Sequence, residues 1–260
     1  MPRHAHHHID HDNRRHRRRR RLLPAAACLL AAGCAMAPRT APGPEAAGAA
    51  PEIAVPLFEA GDAVVEPWRR FTIWGVSDWG LVAEDGEVVI RAAAEGASAG
   101  IARRVEIDPE TCPVVEWSWR VERLPEEADL AVKATEDVAA SLILAFGDPG
   151  VFANPDPVPT LRYVWATAAN PVDAVIDSPY FPGVLRSVVV RSGPGGAQGW
   201  VTERRNIVAD FTAAFGAPPD SGIEILALFT DSDHGGTPVA ARYRWARALC
   251  TEAPAPPSIF

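Results

Sequence analysis

The stretch EWSWRV, residues 116–121, decides the fold class of this chain. Trp117, Trp119 and Val121 project to one side of an extended backbone, and the polar residues between them project to the other side. Such a period of two is typical of a β-strand that buries one face and leaves the other polar. The stretch therefore predicts a sheet whose apolar face packs against a second layer.

Runs with the same period extend in both directions from this stretch. A turn-forming Asp-Gly dipeptide at 85–86 separates runs at 79–84 and 88–91, which predicts a hairpin. Further strands are predicted at 99–107, 114–122, 138–146, 161–167, 185–192, 200–208, 223–230 and 239–249. We therefore expect an all-β fold, a two-sheet antiparallel β-sandwich of the jelly-roll or galactose-binding-like type.

One segment departs from this pattern and has a helical signature. Phe211 and Phe215 are four residues apart and so share one face of a helix, and Gly216 follows directly as a stop signal. Asp210 precedes the segment and is the expected N-cap. The sequence predicts a short helix at 211–215.

The amino terminus is typical of an export signal. Arginines dominate residues 14–21, an apolar stretch spans 22–33 and Cys34 follows. The apolar stretch is too short to cross a bilayer as a helix, so we predict a signal peptide of the lipoprotein type at 1–33. The residues LAAGC resemble a bacterial lipobox, which makes Cys34 the expected lipidation site. A plain secretory leader is the alternative, and the arginines leave a twin-arginine route open.

Composition divides the rest of the chain into three parts. Residues 34–56 and 253–260 are rich in Ala, Pro and Gly and are expected to be a disordered tether and a tail, whereas 57–252 form one domain. The formal net charge is −8, and eight of the 25 basic residues precede Cys34. The domain is therefore more acidic than the whole chain, which argues against a nucleic-acid partner. We expect a lipid-anchored protein of the bacterial cell envelope, at its periplasmic or outer-membrane face.

Two cysteines lie inside the expected domain. Cys112 precedes one predicted strand and Cys250 follows another, so neighbouring strands can bring them together. A disulfide is one prediction for an exported protein, and two buried free thiols are the alternative.

Acidic residues provide the first candidate site. Asp231 and Asp233 follow a predicted strand, and at this spacing both side chains project to the same side of an extended chain. They can bind calcium or a sugar hydroxyl, with Glu136 or Asp137 contributing from another strand. Calcium is the one cofactor that the sequence suggests. The alternative is a turn in which each carboxylate accepts local backbone N–H groups.

Basic and amide side chains add further candidates for ligand binding. Lys133 is the only lysine, and it either contacts a ligand or one of the acidic pair after it, or lies free on the surface. Arg205 and Asn206 precede the predicted helix. Arg205 either forms a structural salt bridge, with Asp231 or Asp233 as partner, or binds a ligand carboxylate with both ends of its guanidinium.

Tryptophans supply the aromatic candidates. Trp117 and Trp119 are expected in the core, whereas Trp74 and Trp79 flank a predicted loop and are candidates for an exposed surface that stacks on sugar rings.

An ordered set of motifs resembles one protein family. The segments WSWRV, LRYVWA, VVVRSG, WVTERRNIVADFTAAFG and ALFTDSDHGG occur in this order, with a lysine and an acidic pair after the first of them. Together they resemble the bacterial DUF3047 family over roughly residues 57–250. The resemblance implies an exported β-sandwich similar to carbohydrate-binding modules.

Motifs for catalysis are absent from the sequence. It contains no serine-nucleophile elbow, zinc-binding spacing, P-loop or dinucleotide fingerprint. We therefore expect no catalytic residue and a domain that binds a glycan or a similar polyhydroxylated ligand. A structural envelope subunit that binds another protein is the first alternative, and a hydrolase that uses a pair of carboxylates is the second.

Overall fold

The computed structural model describes residues 52–61, 68–150, 156–194 and 199–252. The predicted signal peptide, Cys34 and the tail at 253–260 lie outside the described residues. In the part that is described, no helix has the length and apolar character needed to cross a membrane.

Thirteen strands and one α-helix make up the described part of the fold. The strands are β1 (Ile53–Glu59), β2 (Arg69–Trp74), β3 (Asp78–Glu84), β4 (Glu87–Ala94), β5 (Ser98–Ile107), β6 (Val114–Arg123), β7 (Val138–Phe146), β8 (Thr160–Ala166), β9 (Val175–Asp177), β10 (Leu185–Ser192), β11 (Val201–Asn206), β12 (Ile223–Asp231) and β13 (Val239–Cys250). The helix α1 is Ile207–Phe215, and a short 3-10 helix spans Lys133–Thr135.

These strands form two sheets that pack face to face. The first sheet has the order β11-β6-β13-β4-β3, with β1 also paired to β13, and the second has the order β2-β5-β12-β7-β8-β10-β9. The predicted two-sheet β-sandwich is therefore confirmed. All strand pairs are antiparallel except β8 with β10, because the chain crosses through β9 before it returns beside β8.

Large aromatic side chains fill the space between the sheets. The ring centroids of Trp117 and Tyr163 lie 5.1 Å apart, and those of Trp119 and Trp165 lie 6.1 Å apart, so each pair joins the two sheets. Trp79 is only 4% exposed and stacks on Tyr243. The predicted exposure of Trp79 is therefore wrong: β3 alternates, and this residue lies on its inner face.

Three strands were not predicted, and each has a physical reason. β1 begins at Ile53, inside the segment expected to be tether, because Leu57 and Phe58 join the core and the backbone pairs with β13. A register irregularity after Pro56 hides the alternation of β1 in the sequence. β2 is an edge strand with mostly exposed side chains, and β9 has only three residues.

The helix is longer than predicted and has a different cap. Asn206 is the N-cap, since its side chain accepts the backbone N–H of Ala209 at 2.9 Å. Ile207 and Phe211 bury one face of the helix, and Gly216 ends it with a φ of 86°. The assignment of Asp210 as the cap is wrong, because this residue lies inside the first turn. β11 consequently ends at Asn206, two residues earlier than expected.

A disulfide joins Cys112 to Cys250. Cys112 lies two residues before β6 and Cys250 is the last residue of β13, and these two strands are neighbours in the first sheet. The bond joins the end of β13 to the segment just before β6.

Candidate functional site

Four carboxylates meet where β12 ends and β7 begins. In the antiparallel pair of these strands, Asp231 lies opposite Val138, so the residues after the first strand meet those before the second. The cluster consists of Glu136, Asp137, Asp231 and Asp233. Its position on the outer side of the second sheet follows from Phe229, which precedes Asp231 by two residues and packs outside the main core. We call this outer side the acidic face.

Asp137 ties the two loops of the cluster together. Its Oδ2 accepts the backbone N–H of Gly235 at 2.7 Å, and its Oδ1 accepts the backbone N–H of His234 at 3.1 Å. The carboxylate is buried, so these bonds replace its lost contacts with water. The loop after β12 is therefore held against the loop before β7 by one side chain.

Glu136 is neutralised by an internal arginine. Both Glu136 and Arg162 are buried, and they form an ion pair through Oε1 and Nη2. The Nε of Arg162 also donates to the hydroxyl of Ser187 at 2.8 Å. The pair fixes the start of β7 to β8 and β10, and it leaves three carboxylates of the cluster without an arginine partner in the part of the chain described here.

Asp231 has the most altered acidity of the cluster. Burial raises its pKa to about 8, with a further contribution from the negative charge of Asp233, although the backbone N–H of Asp233 acts in the opposite direction. The raised pKa favours the protonated form of the side chain at neutral pH. In this form it can both donate and accept a hydrogen bond.

His234 and Tyr180 cover the cluster and were not predicted. The Nδ1 of His234 lies 2.7 Å from Asp233 Oδ1 and 3.3 Å from Asp137 Oδ1, and its Nε2 forms a hydrogen bond with the Tyr180 hydroxyl. Burial and the negative charges, Asp233 foremost among them, raise the pKa of Tyr180. The sequence offered one signal, since His234 is the only histidine after residue 33. No sequence signal marked Tyr180.

Lys133 lies at the rim of this cluster. Its Nζ is 4.6 Å from the centre of the Tyr180 ring, and its backbone carbonyl accepts the Tyr180 hydroxyl at 3.1 Å. The side chain is exposed. The structure therefore brings Lys133, Glu136, Asp137, Asp231 and Asp233 together at one end of the second sheet.

Trp74 extends the site across the second sheet. It pairs with Ser98 of β5, and Ser98 in turn pairs with Asp231 of β12, so the three residues form one row. Adjacent strands are about 4.8 Å apart, which puts Trp74 roughly 10 Å from Asp231. Trp74 is 66% exposed, whereas Ser98 is 1% exposed. The row thus runs from an exposed aromatic side chain to a buried serine and a buried aspartate.

Arg205 and Asn206 do not belong to this site. Arg205 donates to both carboxylate oxygens of Asp210, at 2.9 and 2.7 Å, and also pairs with Asp173. Asn206 is the helix cap. The structure does not bring them to the cluster, because each side chain contacts α1 or the residues beside it. The structural salt bridge expected for Arg205 exists, but its partners are Asp210 and Asp173.

Residues 66–246 match the family described as "Protein of unknown function (DUF3047)". This chain belongs to the DUF3047 family. The matched range includes every residue of the site, from Trp74 to His234. Among curated proteins, no sequence gives a significant match to this DUF3047 member.

Several solved structures resemble the DUF3047 domain weakly. TmCBM61, solved in complex with β-1,4-galactotriose, is 12% identical with a TM-score of 0.34, and the alignment covers 74% of this chain and 95% of that one. The family 11 carbohydrate-binding module of a Clostridium thermocellum cellulase is 9% identical with a TM-score of 0.39, covering 78% and 96%. The xyloglucanase domain of NopAA from Sinorhizobium fredii is 8% identical with a TM-score of 0.39, covering 70% and 92%. Similarities this low do not carry a ligand or an activity over.

The outer side of the first DUF3047 sheet has a different character. Arg120 and Arg242 each pair with both Glu84 and Glu122, at distances between 2.7 and 3.0 Å. We call this side the paired-charge face. The half-buried carboxylates of this face have arginine partners. The pKa of Glu84 is lowered as a result. Burial alone would raise that pKa, but the hydrogen bond from Arg242 and the charge of this arginine outweigh it.

Proposed function

We propose that this chain is a non-catalytic β-sandwich that binds a glycan or a similar polyhydroxylated ligand on its acidic face. One observation carries the proposal: an exposed tryptophan, a buried serine and a buried aspartate form a single row across three strands. Trp74, Ser98 and Asp231 are the members of this row.

The row suits a ligand with one apolar side and several hydroxyls. The indole of Trp74 offers a flat apolar surface for the C–H side of a sugar ring. The hydroxyl of Ser98 has no hydrogen-bond partner in the protein, and Asp231 can donate as well as accept. Tyr180 adds a second partly exposed ring beside the carboxylates. Ligand hydroxyls that reach Ser98 and Asp231 would provide hydrogen-bond partners that the protein itself does not supply.

A glycan array tests this proposal. The full chain is expected to bind at least one class of neutral glycan, and Trp74→Ala and Asp231→Ala are each expected to weaken that binding at least about tenfold, the loss of a single strong contact. Trp245→Ala is the matched control, because Trp245 lies under Arg247 in the first sheet. Equal binding by all four proteins, or binding by none, contradicts the proposal.

The second part of the proposal concerns location. We infer that Cys34 carries a lipid that holds the domain to the bacterial envelope, with residues after it as a tether. Support comes from the sequence pattern around Cys34 alone. Cys34→Ser is expected to move the protein from the membrane fraction to the soluble fraction after export. Unchanged fractionation contradicts the anchor.

A structural envelope subunit that binds another protein is the first alternative. Ile73 and Val76, 61% and 91% exposed, flank Trp74 and form an apolar strip at the edge of the second sheet. A protein partner docked on this strip would require Ile73 and Val76 as much as Trp74. Retained binding after Ile73→Ser and Val76→Ser therefore separates a glycan ligand from a protein partner.

A hydrolase is the second alternative, and the raised pKa of Asp231 favours it. A protonated carboxyl close to Asp233 is the arrangement of a general acid with a neighbouring base or nucleophile. Asp231→Asn would abolish release of reducing ends from the bound glycan if the domain is an enzyme. Under the principal proposal there is no such release to abolish.

A further inference from the structure

We propose that Asp137, Asp233 and His234 bind a divalent transition-metal ion of the zinc class, with one oxygen from each aspartate and Nδ1 of the imidazole as ligands. The inference goes beyond the proposed function, since metal binding is measured in the absence of any glycan. It also replaces the calcium site that the sequence suggested on Asp231 and Asp233.

The three donor groups already form a compact triangle. Their ligand atoms all lie within 4.8 Å of one another. The Nδ1 of His234 is 2.7 Å from Asp233 Oδ1 and 3.3 Å from Asp137 Oδ1. Two ligand atoms on one tetrahedral zinc ion lie roughly 3.3 Å apart, given metal–ligand bonds of about 2.0–2.2 Å. Small side-chain rotations therefore suffice to admit the ion.

One oxygen of the triangle gives independent support for a bound cation. The Oδ1 of Asp233 is buried and accepts no hydrogen bond, because its close contact with His234 lacks hydrogen-bond geometry. A buried carboxylate oxygen left unpaired is costly, and a bound cation would remove that cost.

The groups around the triangle resemble the outer shell of a metal site. The Nε2 of His234 forms a hydrogen bond with the Tyr180 hydroxyl, which fixes the ring and directs Nδ1 toward Asp137 and Asp233. The second oxygen of Asp137 is held by the backbone N–H of Gly235. Ligands in metal sites are oriented by such outer hydrogen bonds, which hold imidazole and carboxylate in place before the ion arrives.

Charge and donor type decide which ion fits. Only Glu136 among the four carboxylates has an arginine partner in the described part of the chain, so the remaining negative charge favours a cation. An imidazole nitrogen beside two carboxylates suits zinc or a related transition metal, whereas calcium prefers a shell of six to eight oxygens. The site therefore belongs to the zinc class.

Thermal melting with added metal tests the inference. The full chain, stripped with a chelator, is melted with and without Zn²⁺, Mn²⁺ or Ca²⁺, and zinc affinity is measured by calorimetry. Six histidines precede Cys34 and can bind zinc themselves. Zinc binding at the proposed site is therefore measured as the difference between variants that share the same amino terminus. The variants are Asp233→Asn and His234→Gln, and the control is Asp148→Asn, an exposed residue on a distant loop.

The expected result is a rise in melting temperature with Zn²⁺ for the full chain and for Asp148→Asn, and no rise for either site variant. The number of zinc ions bound should fall by one in those variants. Tyr180→Phe is expected to weaken zinc binding about 10- to 100-fold without removing it. The same zinc response in all chains, no response in any, or a larger response to Ca²⁺ overturns the proposal. Loss of glycan binding alone leaves it intact.

Discussion

The outer sides of the two sheets are both rich in charge, but they use it in opposite ways. On the paired-charge face, arginines and glutamates alternate across neighbouring strands, so that Arg120, Arg242, Glu84 and Glu122 neutralise one another in contact with water. On the acidic face, carboxylates are buried together and outnumber their basic partners, and polar atoms remain without hydrogen bonds.

This difference identifies the face on which buried polar groups still lack hydrogen-bond partners. A solvated network of ion pairs gains little from a further partner, because each charge is already screened and paired. Buried groups without hydrogen-bond partners have lost their contacts with water, and no protein contact replaces them. A ligand that reaches these groups therefore binds without a further cost of desolvating them. The acidic face is therefore the side prepared for binding.

The largest effect should come from the covalent bond that fastens the first sheet. Cys112→Ser combined with Cys250→Ser opens a loop across a sequence separation of 138 residues. The chain-entropy model puts the lost free energy of unfolding at about 4–5 kcal/mol for a loop of this size. Urea unfolding measures it, with reduced wild-type protein as control. A loss below about 1 kcal/mol would show that the bond contributes little to the first sheet.

The next largest effect should separate the two faces directly. Arg162→Ala removes the partner of a buried carboxylate and is expected to cost about 3–5 kcal/mol of unfolding free energy. Arg247→Ala breaks a half-exposed pair with Glu116 and is expected to cost at most about 1 kcal/mol.

Urea unfolding of both variants provides the comparison. Replacing Arg162 and Glu136 together, by Met and Gln, should recover much of the loss, because no unpaired charge then stays buried. Similar losses for Arg162→Ala and Arg247→Ala would remove the contrast between the faces.

The smallest effect should be a pH dependence of opposite sign on the two faces. The lowered pKa of Glu84 means that its stabilisation is present above the ordinary value of 4.5 and is lost as the pH falls through the folded-state value. The raised pKa of Asp231 means that stability is highest below its ordinary value of 3.8 and is lost as the pH rises toward about 8.

Chelator-treated protein should show this pattern in melting curves between pH 3 and 9. Asp231→Asn is expected to remove the decline between about pH 4 and 8 and to stabilise the domain at neutral pH. Glu84→Gln is expected to reduce only the acid-side loss. An unchanged decline in Asp231→Asn would mean that this carboxyl is ionised in the folded protein.

Most of the fold could be read from alternation, and the exceptions are informative. β6 buries one face fully, so its sequence carries the alternation, whereas β7 is buried on both faces and is recognised as an apolar run. β1 has an irregular register, β2 lies at an edge and β9 is very short, so pairing with neighbours rather than side-chain pattern defines them. The same holds for the parallel arrangement of β8 and β10, which depends on a crossing that no local signal encodes.

The site was predictable only as far as strand ends could be located. Asp231 and Asp233 follow a clear strand, and a contribution from Glu136 or Asp137 was suggested, but only the pairing of β12 with β7 shows that these residues meet. Tyr180 comes from the loop between β9, which has only three residues, and β10, so only the folded chain shows that it contacts His234. Trp79 was misplaced because its partner in the core, Tyr243, lies far away in the sequence.

The most direct test of the account asks which face is covered when ligand is bound. Hydrogen–deuterium exchange is measured with and without the glycan selected on the array, and the acidic face is compared with the paired-charge face. We predict slower exchange at residues 72–76, 96–99 and 230–236, with no change at 116–122 and 242–247. Protection of the latter segments, with 230–236 unchanged, would contradict the assignment of the binding surface.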